Sequence, residues 1–168
     1  MKILLQIIKY SFFLLFITSC DKEENIPADT SLSVRLIASS YEIKSGDSLT
    51  VSIEVENADS LFALSFELNF DSSLFSVSTA SVGNLFSDPF PAALPIFFSD
   101  GRVSVGYGEW GSIQSTVSGT ACYMIFTALS TGSGTLYISS IEMRKKNGFE
   151  IDGLDNLMID SIEIQVIE

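Results

Sequence analysis

The first candidate for catalytic chemistry is a serine in the segment KSGDSLT, residues 44–50. A serine hydroxyl that follows a Gly-Asp turn could attack an ester, provided that a neighbouring base removes its proton. In serine hydrolases that base is a histidine, and this chain of 168 residues contains none. The next residues, LTVSIEVE, alternate apolar and polar, which predicts a strand and not the helix that follows a nucleophile elbow. We therefore interpret Gly46 and Asp47 as turn residues and assign Ser48 no catalytic role.

Acidic residues are the second source of candidate chemistry. The chain has 21 Asp and Glu against 9 Lys and Arg, for a formal net charge of −12. Nucleic acid is not an expected partner, because phosphate binding needs clustered cations. Two carboxylates would suffice for glycoside hydrolysis, but so many acids make any single pair uninformative, and we predict that the protein is not an enzyme. Without histidine, no zinc site built from His and Cys is expected.

One acidic segment, NGFEIDGLDN at residues 147–156, leaves an irregular calcium site open. Its oxygen-bearing side chains are those of Asn147, Glu150, Asp152, Asp155 and Asn156. An EF-hand loop that starts at Asp152 would need an oxygen ligand at position 154, which is Leu154. A solvated acidic turn is the simpler interpretation, so we predict no metal site and no cofactor on this chain.

The amino terminus, MKILLQIIKYSFFLLFITSC, has the pattern of an export signal. Lys2 and Lys9 give it a basic start, and the apolar run that follows is too short to span a bilayer comfortably. Its last four residues, ITSC, resemble the bacterial lipobox, in which the cysteine becomes the lipidated first residue. The expected organisation is a signal peptide at 1–19, lipidated Cys20 with a polar tether at 20–31, and one domain at 32–168.

The residues directly after Cys20, DKEEN, suggest where the lipoprotein is sent. A lysine followed by two acids resembles the export signal of Bacteroidetes lipoproteins that reach the outer face of the outer membrane. A plain charged tether would have the same composition. We expect an outer-membrane lipoprotein of a Bacteroidetes-like bacterium that faces the medium, held to the membrane by lipid at Cys20.

The sequence predicts that strands position the candidate binding residues. From residue 32 onward the chain is a series of short alternating segments separated by turn residues: SVRLIAS, LTVSIEV, LFALSFELNF, LFSVSTA, IFF, RVSVGY, ACYMIFTAL, GTLYISSIEM and SIEIQVI. A period of two predicts strands with one buried face, and no amphipathic helix of useful length interrupts them. The predicted fold class is therefore all-β, an antiparallel β-sandwich.

Two details refine this prediction. Residues 84–95 contain Pro89, Pro91 and Pro95, which cannot lie in a central strand, so a loop folded over the domain is expected there. Cys122 alternates in phase with Met124 and Phe126, which predicts a small buried side chain and not a reactive thiol.

The order of the segments resembles the bacterial cohesin domain. The resemblance rests on a Gly-Asp turn before an alternating strand, on ALSFELNFDS at 63–72 followed by LFSV at 74–77, on GRVSVGYGE at 101–109 and on GTACYMIF at 119–126. It covers about residues 33–168 and implies a jelly-roll sandwich of about nine strands. It also implies a dockerin partner, a small module with paired calcium loops, so calcium is expected on the partner.

The resemblance further implies a binding face made by the third, fifth, sixth and eighth strands. Outward side chains on these strands follow from the apolar alternation. The expected face comprises Ala63, Ser65, Glu67, Asn69, Arg102, Ser104, Thr135, Tyr137 and Ser139, with Gly106 on the sixth strand. Ala63 and Ser65 depart from the best-known cohesins, which have an Asn and an Asp there that hydrogen-bond the dockerin.

The expected function is that of a non-catalytic surface module that docks a dockerin-bearing enzyme or adhesin, in the setting of polysaccharide degradation. One alternative is a carbohydrate-binding module that stacks sugars on exposed aromatic rings, with Tyr107 and Trp110 as the contacts and Tyr123 and Tyr137 as further candidates. Another is a structural subunit of a surface assembly without a soluble ligand.

Overall fold

The alternating segments form two stacked β-sheets in the computed structural model, which describes residues 30–90, 96–111, 116–157, 159 and 161–168. In chain order the strands are β1 Ser33–Ala38, β2 Glu42–Lys44, β3 Ser48–Asp59, β4 Ala63–Asn69, β5 Phe75–Val82, β6 Pro89–Phe90, β7 Ile96–Ser99, β8 Arg102–Glu109, β9 Thr116–Ala128, β10 Gly132–Arg144 and β11 Ile162–Ile167. One sheet has the order β1-β3-β9-β5, and the other has the order β2-β11-β10-β4-β8-β6, with β7 also paired to β8. The predicted all-β sandwich is confirmed.

Two short strands and one parallel pair go beyond the sequence prediction. β2 lies beside β11 in parallel register, with Glu42 opposite Gln165, whereas every other described strand pair is antiparallel. β6 falls within the expected proline loop and pairs with β8 at the sheet edge, where Pro89 has no neighbour on its other side. Residues 91–95, which include the other two prolines, lie outside the described residues.

Apolar side chains from both sheets meet in the core. On β3, Leu49, Val51 and Ile53 are buried in strict alternation, as the period of two requires. Phe126 of β9 stands at the centre, with Phe70 edge-on at 5.4 Å and Phe75 edge-on at 6.4 Å between ring centroids. Burying each such side chain contributes about 1.5–3 kcal/mol, so the sandwich needs no disulfide.

Ser48 and Cys122 both lie in strands. Ser48 opens β3, and its Oγ lies 2.9 Å from Oγ1 of Thr127, a side-chain contact between neighbouring strands. Cys122 is fully buried, and burial raises the pKa of its thiol to about 12.

The predicted signal peptide and Cys20, and most of the tether, lie outside the described residues, so lipidation stays a prediction. Within the described ranges no helix is long and apolar enough to cross a membrane.

Candidate functional site

The strands expected to carry the binding face are neighbours in the seven-stranded sheet. The third, fifth, sixth and eighth of the predicted segments are β4, β7, β8 and β10 in the structure. Their outward surface is here named the β4/β8 face. From β10 through β4 to β8, the rows of this face are Tyr137-Asn69-Arg102, Ser140-Glu67-Ser104, Glu142-Ser65-Gly106 and Arg144-Ala63-Gly108. β7 extends the first two rows with Ser99 and Phe97.

The inward and outward phases of β4 and β8 are those read from the sequence. Burial alternates along both strands, and the predicted face residues on them are half-buried or exposed. Polar contacts connect them: Arg102 Nη1 lies 3.5 Å from Glu67 Oε1, and Ser104 Oγ donates to the same oxygen at 3.4 Å. Asn69 Nδ2 donates to Ser139 Oγ at 2.5 Å. Ser139 Oγ in turn donates to the backbone carbonyl of Glu67 at 3.5 Å, so these contacts connect five of the nine predicted residues.

β10 carries three face residues that the sequence prediction omitted. A bulge lies between Ile138 and Ser140, so Ser139 is an extra residue in the ladder and the alternation changes phase after it. Ser140, Glu142 and Arg144 consequently share the outward side with β4. The apolar positions carry a sign of this change, because Leu136 and Ile138 are even-numbered whereas Ile141 and Met143 are odd-numbered.

Thr135 does not join the face as expected. It pairs with Glu163 of β11, and the pairing between β10 and β4 begins only at Tyr137. Thr135 therefore lies on β10 beyond the end of its pairing with β4, outside the four rows of the β4/β8 face. Alternation within β10 predicts which side of the sheet Thr135 is on, but it does not predict which strand lies beside Thr135.

Exposed aromatic rings line the β7/β6 edge of the face. Phe97 stands opposite Ser104 with 74% of its surface exposed. Phe90 stands opposite Gly108, and its ring lies 4.7 Å from the ring of Trp110, with the two side chains 55% and 62% exposed. The sequence predicts Trp110 as a candidate contact but neither Phe90 nor Phe97.

A buried carboxylate fixes the loop that presents this aromatic pair. Glu109 is 8% exposed and accepts hydrogen bonds from Ser87 N and Ser87 Oγ at 2.9 Å and from Asp88 N at 3.0 Å. Trp110 N in turn donates to Asp88 O at 2.7 Å. Because backbone donors satisfy the carboxylate, its burial is tolerated and β6 is held against the end of β8.

Tyr107 is a correction to the carbohydrate alternative. Its ring is only 5% exposed, packs edge-on against Phe86 at 5.1 Å between centroids, and places its hydroxyl on the carbonyl of Ala121, to which it donates. Burial, with a smaller contribution from Cys122, raises the pKa of Tyr107. The alternation of β8 turns this side chain into the core, so it is not available for stacking on a sugar.

The other candidate aromatics do not form one strip. Tyr137 lies on the β4/β8 face, whereas Tyr123 lies on β9 of the opposite sheet.

The acidic segment at 147–156 is held by an ion pair with Lys145 and by a hydrogen bond within the segment. Lys145 Nζ lies 3.0 Å from Asp152 Oδ2, and Asn147 Oδ1 accepts a hydrogen bond from Phe149 N at 3.1 Å. In the part of the chain that the structure describes, no three His, Cys, Asp or Glu side chains are grouped to hold a metal ion.

A shallow depression of about 380 Å³ lies in the middle of the β4/β8 face. It is lined by Ser65, Phe66, Glu67, Phe97, Ser104, Val105, Gly106, Ser140 and Glu142. It exists because Ser65 and Gly106 stand opposite each other in the same row and neither fills the space above the sheet. The face thus has a small-residue centre between an aromatic edge and a charged one.

Comparison with known proteins agrees with this architecture. The family model described as "Cohesin domain" matches residues 35–157. The fold is similar to a non-cellulosomal cohesin from the hyperthermophilic archaeon Archaeoglobus fulgidus, with a TM-score of 0.67, 16% identity, and coverage of 82% of this chain and 92% of that one. It is also similar to the third cohesin of ScaC from Acetivibrio cellulolyticus, solved with the ScaB dockerin, with a TM-score of 0.67, 19% identity, and coverage of 82% and 99%. Comparison with curated proteins gives no significant match.

Proposed function

The chain belongs to the cohesin domain family, and from this premise we propose that it is a non-catalytic docking module whose β4/β8 face binds a dockerin-type partner. The observation that carries the proposal is the shape of that face. Four neighbouring strands about 4.8 Å apart span roughly 14 Å, close to the diameter of about 10–12 Å of one helix with its side chains. Gly106 and Gly108 leave the second half of β8 without outward side chains, so a helix can approach the sheet closely there.

The cellular setting is a second part of the proposal. The predicted export signal at residues 1–19, followed by Cys20 and an acidic tether, supports a lipid-anchored module facing the medium at the outer membrane. There it would hold a dockerin-bearing enzyme or adhesin at the cell surface, which suits the degradation of external polysaccharide. Calcium in this arrangement belongs to the partner.

The test uses residues 21–168, immobilised and exposed to the host's secreted proteins with calcium or with chelator, followed by mass spectrometry. We expect capture of a protein with duplicated calcium loops that chelation releases. Replacing Ser65 with arginine should abolish that capture, because a long side chain would fill the depression. The matched control is Ser52→Arg, which places the same side chain outward on β3 of the opposite sheet. Equal retention by both variants would contradict the assignment of the face.

A second candidate function is direct binding of polysaccharide, and the adjacent, exposed rings of Phe90 and Trp110, tilted at 45° to each other, favour it. In that case the module is retarded in a gel that contains the polysaccharide, and Trp110→Ala abolishes the retardation while Tyr123→Ala does not. Absence of retardation in the parent protein would dismiss this candidate, and retardation that survives in Trp110→Ala would show that this aromatic pair is not the contact.

A further inference from the structure

The depression in the β4/β8 face is lined by hydrogen-bond acceptors. Carboxylates of Glu67 on β4 and Glu142 on β10 face it from two strands, and the hydroxyls of Ser65, Ser104 and Ser140 lie between them. Glu142 stands opposite Ser65 while Glu67 stands opposite Ser140, so the two acids are diagonal neighbours. None of the described lining residues is a lysine or an arginine.

Each glutamate has one oxygen left for an incoming group. Arg102 and Ser104 both contact Oε1 of Glu67, while Arg144 uses Nε at 3.3 Å and Nη2 at 3.2 Å on Oε2 of Glu142. Among the described residues, no hydrogen bond reaches Oε2 of Glu67 or Oε1 of Glu142. An incoming cation would therefore add contacts without displacing the existing ones.

Phe97 supplies an apolar wall for the same space. Its ring lines the depression and is exposed over most of its surface. A long basic side chain can pack its methylene stem on such a ring, and its charged group is attracted to the ring face. A neutral polar or an acidic side chain would gain much less here.

We propose that the depression receives an arginine side chain from the partner helix, with its guanidinium between Glu67 and Glu142 and its stem on Phe97. This inference rests on the proposed docking function and names the chemistry of the partner at the centre of the site. Arginine fits better than lysine because its planar group has five donors that can reach two carboxylates at once. The formal charge of −12 on the whole chain favours a basic over an acidic partner.

The first experiment is a titration of ¹⁵N-labelled residues 21–168, followed by amide chemical shifts, with N-acetyl-arginine N-methylamide as the probe. N-acetyl-citrulline N-methylamide has the same shape without the charge and serves as the matched probe. We expect saturable shifts for arginine, centred on Ser65, Glu67 and Gly106, at millimolar concentration, and no saturation for citrulline. Equal shifts with both probes, or shifts spread over the whole surface, would overturn the proposal.

Charge-neutralising variants test whether the arginine probe binds at the depression. Glu67→Gln and Glu142→Gln should each weaken arginine binding by about two- to five-fold, the range for an exposed ion pair. Glu42→Gln on edge strand β2 changes the charge by the same amount and should have no effect. Arg102→Gln should strengthen binding, because it removes the internal cation that shares Glu67. Weakening by Glu42→Gln to the same degree, or no change in any face variant, contradicts the site.

This experiment is separable from the docking test. A captured calcium-loop protein whose affinity is unaffected by Glu67→Gln and Glu142→Gln would leave docking intact and overturn the arginine contact. Saturable arginine binding without any captured partner would support the site and count against the docking function.

Discussion

At the scale of single residues, the polar groups inside the sandwich are placed so that none is left without a partner. Every described buried side-chain nitrogen or oxygen has a hydrogen-bond partner. Tyr107 and Cys122 are close neighbours in this interior, since the hydroxyl of Tyr107 donates to the carbonyl of Ala121. Burial raises the pKa of both side chains, so both remain neutral through the ordinary pH range.

The buried thiol predicts how stability depends on alkaline pH. Its pKa rises from 9.0 to about 12 on folding, so below pH 9 the thiol is neutral in both states and contributes no pH dependence. Above pH 9 only the unfolded chain ionises, and the free energy of unfolding falls by up to about 1.4 kcal/mol per pH unit. Urea unfolding between pH 8 and pH 11 should show a smaller loss in Cys122→Ala than in the parent. An identical slope for the two proteins would show that Cys122 is not the group responsible.

At the scale of secondary-structure elements, the bulge in β10 determines which side chains join the face. It supplies one extra residue, after which Ile141 and Met143 point inward and Glu142 points outward. Without that extra residue the ladder between β10 and β4 would be regular, because Ile138 and Ser140 already pair with consecutive residues of β4.

We therefore predict that deletion of Ser139 is tolerated. The main loss is the hydrogen bond from Asn69, a net cost of about 1 kcal/mol. Deletion of Thr135 is the control, because β10 has no spare residue there and the apolar side chains after it would change faces. Urea unfolding followed by the fluorescence of Trp110, the one tryptophan of the chain, measures both. Equal destabilisation by the two deletions would contradict this account of the bulge.

At the scale of the whole molecule, the sandwich extends past the part that matches the family model. The match ends at residue 157, whereas β11 lies between β2 and β10 inside the seven-stranded sheet. Its inward side chains are Ile162, Ile164 and Val166, all buried. Removing β11 would expose the edge of β10 and leave β2 without its neighbour.

We predict that a fragment of residues 30–157 does not fold cooperatively. Three buried apolar side chains at about 1.5–3 kcal/mol each amount to roughly 5–9 kcal/mol, which is comparable to the total stability of about 5–15 kcal/mol of a typical domain. Thermal unfolding by circular dichroism compares this fragment with residues 30–168. A cooperative transition of the shorter fragment at the same temperature would show that β11 is dispensable.

The sequence by itself determined the features that depend on local spacing. A period of two depends only on the geometry of one strand. It correctly assigned nine of the eleven described strands, the inward phase of β4 and β8 and the burial of Cys122. The sequence likewise lacks the histidine that a Ser-His-Asp triad requires. The segment order indicated the family that the comparison then showed.

Only the tertiary structure decided which outward side chains become neighbours. Register between strands far apart in the chain placed Glu142 opposite Ser65, moved Thr135 away toward β11 and set Phe90 beside Trp110. Those relations depend on a bulge, on the path of the proline loop and on a buried glutamate that holds it. Each of these is a contact between distant segments, and the alternation of a single strand carries no information about its partner.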